Sequence, residues 1–147
     1  MTVVCEDPAE EISLFALLKP AAYGDLSALR ALAIEGRQIA AEMSDPLFCL
    51  FEARVFARLA AAQGRPEDWH LCAMIASDLA AACYHQGLTE EAARCEGEAL
   101  ALVSLMADEG CEHSAEILGK LSSLSVPDAA CEAKWFEREW RNIHDVR

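Results

Sequence analysis

Histidine and cysteine stand two positions apart three times in this chain: His70 with Cys72, Cys83 with His85, and Cys111 with His113. Both residue types ligate metals and both serve in nucleophilic catalysis, so spacing decides which chemistry is open to them. On a helix, residues two apart point about 200° away from each other. The pairs at 70–72 and 83–85 fall in helical stretches and therefore cannot close on one ion. Strong zinc signatures use Cys-x-x-Cys or His-x-x-x-His spacings, and the sequence has neither. Cys111 alone lies beside a turn and near a helix start, where a thiolate can be stabilised, with His113 close in sequence. His70, Asp78 and His85 share the polar side of one helix and read as a solvated face. The carboxylate pairs Glu90-Glu91 and Asp108-Glu109 sit at helix termini, and no phosphate-cradling loop or nucleophile elbow occurs. The expectation is no catalytic residue, no metal, no cofactor and no enzymatic activity.

A binding surface is the remaining chemistry. Arg54 and Arg58 lie one turn apart on an otherwise apolar helix, positioned to receive a carboxylate. That carboxylate comes either from a partner or from an Asp or Glu of this chain. Trp135, Phe136 and Trp140 cluster near the C-terminus and are of the kind enriched at interfaces. They either bind a partner or cap an open end of the core. These five residues are the candidate partner-binding set.

The elements that must position them are helical. The 147 residues fit a single domain, 54% hydrophobic and 25% charged, which is a globular composition. Alanine is abundant and β-branched residues are few, a balance that favours helices. The fold class expected is all-α. A net charge of −13 argues against nonspecific binding to nucleic acid or an anionic membrane, which needs clustered Lys and Arg. An acidic inhibitor that mimics DNA is one alternative that such a charge leaves open. Seven cysteines without a framework spacing, no secretory signal and no apolar run of membrane length suggest reduced thiols in a cytoplasmic protein. Alanine and arginine far outnumber lysine, a bias associated with bacterial genomes rich in GC.

In chain order, Asp7-Pro8 with Glu10 opens a first helix with Ile12, Leu14, Phe15 and Leu18 on its stripe, ended by Pro20 at about Lys19. Asp25 caps a second, with Leu29, Leu32 and Ile39 facing inward and Gly36 allowing a close crossing. Asp45-Pro46 starts a third, apolar on nearly every side. Phe48, Phe51, Val55 and Leu59 form one stripe of it; Cys49, Ala53, Phe56 and Ala60 form another. Such a helix is normally central, with neighbours on two sides. Pro66 starts the fourth, lined by Leu71, Ile75, Leu79 and Cys83. Thr89 reads as the N-cap of the fifth, whose stripe is Ala92, Cys95, Ala99, Val103 and Met106. A shorter helix through Ile117, Leu118 and Leu121 follows, then a break at SSLSVPD. Pro127 begins the last helix, with Phe136, Trp140 and Ile143 on one stripe.

Gly64, Gly87 and Gly110 each follow a helix and are spaced 23 residues apart. Equal stops of this kind mean helices of about 20 residues joined by short turns, typical of antiparallel neighbours. The count is about seven helices, stacked as helical hairpins.

These residues resemble tetratricopeptide and Sel1-like repeats. Leu79, Ala80, Ala92 and Ala99 fall where the tetratricopeptide pattern places a large apolar residue and then small ones. Ala21 to Ala33, AAYGDLSALRALA, is similar to the Sel1 run in which glycine precedes alanine by four and leucine by eight. Ala107 to Gly119 matches that spacing through Gly110, Ser114, Leu118 and Gly119. The chain departs from the pattern at Glu96, where an aromatic residue is usual, and no proline follows Leu102. The resemblance implies a tetratricopeptide-like solenoid, with an irregular helical bundle as the alternative. Residues 1–147 then form one helical-repeat domain, with 127–145 as a C-terminal capping or interaction helix. It further implies an adaptor that holds a protein or peptide partner in an inter-helix groove. Direct nucleic-acid and membrane binding are not expected, and the oligomeric state, a homodimer included, is left open. A small acidic chaperone for a secreted or phage protein is the neighbouring alternative.

Overall fold

The computed structural model describes residues 16–112, 114, 116, 117 and 128–145, and among them every regular element is helical. Residues 16–22 are helical and lead into α1 (Leu26–Ala41), α2 (Leu47–Ala61), α3 (Pro66–His85), α4 (Thr89–Asp108) and α5 (Ala129–Asp145). Residues 114, 116 and 117 are helical as well, with Ile117 buried. The expectations at Asp7, Pro8, Glu10, Ile12, Leu14, Phe15, His113, Leu118, Leu121 and Pro127 lie outside the described residues.

The starts and stops follow local chemistry. The Asp25 carboxylate accepts from the Ala28 N–H at 2.9 Å, satisfying a donor that the first turn of α1 leaves free. Pro66 occupies the first turn of α3, where a missing N–H costs nothing. At the α3–α4 joint, Gly87 takes φ +79. Its N–H then reaches the Tyr84 carbonyl, and the Leu88 N–H reaches that of Cys83. This left-handed closure satisfies two carbonyls at once. Gly64 and Gly110 also have positive φ, so all three expected stops are real.

Two local expectations fail. Thr89 is the first residue of α4 rather than its cap, because Leu88 already closes α3 and enters α4, with no side-chain cap. Pro20 does not end its helix at Lys19; the helix runs to residue 22. The Pro20 carbonyl accepts from both Tyr23 and Asp25 N–H groups, so the proline sits in a last turn that its own oxygen closes.

Contacts between helices define a register. Arg30 of α1 meets Asp68 of α3, and Arg37 meets Asp78, pairs separated by 38 and 41 residues. Arg54 of α2 meets Cys95 of α4, and Arg58 meets Glu98, separated by 41 and 40. In each pair of helices the partner number climbs together, so α1 runs parallel to α3 and α2 parallel to α4. Sequence neighbours joined by short turns run antiparallel: Gln63 bonds the Gly24 carbonyl and Gln86 bonds Asp45. Gly97 lies against Glu132, Ser104 bonds Glu137, and Arg141 pairs with Asp108, so α4 and α5, which the helical residues 114, 116 and 117 separate in sequence, run parallel as well.

Small residues set the closest approaches. A Cβ on Gly36 would lie 3.0 Å from that of Ala53, the close crossing expected there. A Cβ on Gly97 would lie 2.6 Å from the Glu132 Cβ and 2.8 Å from the Ala133 N, so α5 lies directly over the α4 backbone. On α1, Leu29, Ala33 and Ala40 are buried, whereas Ile39 is exposed and not inward. The face toward α2 takes residues small enough to let the backbones close. The largest core cluster is built mainly from α3 and α4, around Trp69, Ile75, Leu79, Leu102 and Met106.

Candidate partner-binding groove

The most apolar helix is not the most enclosed one. α2 buries Leu50, Ala53, Ala57, Ala60 and Ala61 against its neighbours. Its other stripe stays open: Phe48 is 76% exposed, Val55 55% and Leu59 50%. The exposed positions fall at helical spacing, so they form a line rather than scattered points.

At the Leu59 end of this line, between α2 and α5, lies a groove of about 720 Å³. Leu59, Arg58 and Ala62 form one wall; Trp135, Phe136, Glu139 and Ile143 form the other; Arg94 and Glu98 of α4 lie at its floor. The Trp135 and Phe136 rings meet edge to face at 4.9 Å, with Trp135 half exposed and Phe136 packed on the core. At one end the His144 ring meets Trp69 edge to face at 5.1 Å, and its Nδ1 lies 3.6 Å from where a Gly64 Cβ would be. The end of α5 therefore lies against the α2–α3 turn.

Below the floor sits a charged cluster. Glu98 is 1% exposed. Arg58 grips it with two groups, Nε to Oε2 at 2.9 Å and NH2 to Oε1 at 2.7 Å. Arg54 NH1 lies 3.9 Å from Oε1 and donates to Cys95 Sγ at 3.5 Å, with its guanidinium 5.0 Å above the Phe51 ring. The Trp140 indole N–H donates to Oε2 at 3.0 Å. Burial works against the Arg58 charge, but the hydrogen bonds and charge of Glu98 outweigh it and hold the guanidinium above its ordinary pKa. Donors from α2 and α5 converge on this one carboxylate of α4, which ties the three helices together.

The structure thus brings three of the five candidates, Arg54, Arg58 and Trp140, onto one carboxylate of this chain. Both arginines face Glu98, and Trp140 is buried with its indole N–H on the same carboxylate. Trp135 and Phe136 line the open groove. Sequence reading missed Glu98, although it falls between Cys95 and Leu102 at helical spacing, on an apolar stripe. It also assigned Phe48, Val55 and Leu59 to the core.

Three thiols, Cys72, Cys83 and Cys95, are buried in the core, whereas Cys131 is exposed. Burial pushes Cys95 up to about 12 and Cys72 well above its ordinary value, and it raises Cys83 as well. Asp78 is taken by Arg37 at 2.6 Å. Cys111 is half-buried, with its N–H on the Met106 carbonyl. Among the described residues no group of three or more His, Cys, Asp or Glu is placed to share a metal, and no helix is long and apolar enough to cross a membrane. The chain matches no protein-family model, and no curated protein or solved structure is significantly similar to it.

Proposed function

We propose that this chain is a helical-hairpin adaptor of tetratricopeptide-like type, which binds a partner protein in the groove between α2 and α5. The contact register supports the hairpin reading, since alternate helices run parallel at separations of 38 to 41 residues. One observation carries the binding reading. An apolar line of Phe48, Val55 and Leu59 on α2 faces solvent, and its Leu59 end lines the groove together with Trp135 and Ile143. Grouped exposure of large apolar side chains marks an interaction surface. The Glu98 cluster beneath serves that surface by fixing the floor, so the groove is formed before a partner arrives.

Affinity purification from cells that make the protein tests this, comparing the wild type with Leu59→Asp. A defined protein retained by the wild type and lost with Leu59→Asp is the expected result. Equal retention by both would place the interaction elsewhere.

A further inference from the structure

The charges around the groove restrict its occupant. Arg58 is committed to Glu98. Arg94 is committed to Glu91 and, at 4.0 Å, to Glu90. Each arginine is thus already engaged with a carboxylate of this chain. Glu132 and Glu139 also line the groove, and neither side-chain carboxylate has a hydrogen-bond or ion-pair partner among the described residues. They stand seven residues apart on one face of α5, which is about 10 Å along the axis. Glu52 is exposed on α2, four residues from Phe48 and three from Val55, and so belongs to the same open stripe. The groove's apolar side chains are flanked by two carboxylates of α5, with a third, Glu52, farther along the exposed stripe of α2.

The walls also select a backbone conformation. Both are helices with their backbone groups bonded internally, so an extended segment would find no strand edge to pair with. A helix satisfies its own backbone and needs only side-chain contacts.

We propose that the occupant is a cationic amphipathic helix of a partner protein, with an apolar stripe on Leu59, Trp135 and Ile143 and Lys or Arg side chains on Glu132 and Glu139. This rests on the groove reading and adds the partner's chemistry to it. Seven-residue spacing of the two carboxylates matches cations two turns apart on a helix laid along the groove. The net charge of −13 would speed the approach of such a segment, with the strong salt dependence that steering brings.

The test uses the full chain and three labelled synthetic peptides of 18 residues, read by fluorescence anisotropy. One is a Leu/Lys helix with leucine on one face, the second replaces every lysine by glutamate, and the third scrambles the Leu/Lys order. The expected result is binding of the first alone, weakening with salt. Glu132→Gln combined with Glu139→Gln should weaken it about tenfold, a loss of about 1.4 kcal/mol. Leu59→Asp should weaken it further, with the helical circular dichroism of both variants unchanged. If the Leu/Glu helix binds equally well and Leu59→Asp abolishes it, the groove stands and the charge assignment falls. If the Leu/Lys helix fails to bind, or binds undiminished by Leu59→Asp, the groove reading itself falls. Equal binding of the scrambled peptide would reduce the interaction to nonspecific attraction and overturn the proposal.

Discussion

α2 and α4 have exchanged the roles their compositions suggest. α2 is apolar on nearly every side, yet it leaves a row of large side chains in solvent. α4 carries Glu90, Glu91, Glu96 and Glu98, yet it is the more enclosed helix, with Glu96 and Glu98 themselves buried. The difference lies in what each helix has beside it. α4 lies between α3 and α5 and beneath the arginines of α2, so one face receives charge partners and the others receive alanine and leucine. α2 has α1 and α3 on one side and open solvent over the groove. An apolar face left open is therefore the surface to examine for binding, and a buried carboxylate is the device that holds that surface in shape.

The largest effect should come from the α4 side of this comparison. Glu98→Ala removes the carboxylate and leaves Arg54, Arg58 and the Trp140 N–H without their shared acceptor. Removing one member of a buried ionic cluster costs about 3–5 kcal/mol. Arg58 is partly exposed and can turn to water, so about 3 kcal/mol is expected, read from urea unfolding. Gly97→Leu comes next. Its side chain would have to occupy the space held by the Glu132 Cβ and the Ala133 backbone. Separation of α5 from α4 should then lower stability by about 1–3 kcal/mol and blunt the near-UV signal of Trp140.

A smaller effect follows from the thiols. Cys95 is held protonated in the folded state to about pH 12, against 9.0 for the ordinary thiol. Above pH 9 the unfolded chain releases that proton and the folded chain does not, so stability falls as pH rises. The full contribution is present below pH 9 and is lost between about 9 and 12, at no more than about 1.4 kcal/mol per pH unit for this thiol. Cys95→Ala should flatten that decline in unfolding free energy measured from pH 8 to 10.5. An unchanged slope would mean that Cys95 ionises as freely in the folded chain as in the unfolded one.

The sequence was legible where a rule acts within one or two turns. Asp25 as a cap, Pro66 as a start, and Gly64, Gly87 and Gly110 as stops are all local, and all hold. The equal glycine spacing reports on the longer helices, α3 and α4, of 20 residues each, and not on the first hairpin, whose helices have 16 and 15 residues. Glu98 and Gly97 were not recognised because their roles depend on which helices cross above them. Arg54 and Arg58, one turn apart on an apolar helix, did signal that a carboxylate was near. Only the fold decided that it belongs to this chain.

Equilibrium urea unfolding of the triple variant Phe48→Ser, Val55→Ser, Leu59→Ser tests the contrast between α2 and α4 most directly, because it needs no partner. If the stripe is a free surface, the variant should unfold within about 1 kcal/mol of the wild type, with an unchanged denaturant slope. A loss of several kcal/mol, comparable to that of Glu98→Ala, would mean that the stripe is covered within the protein, and the groove would not be a binding site.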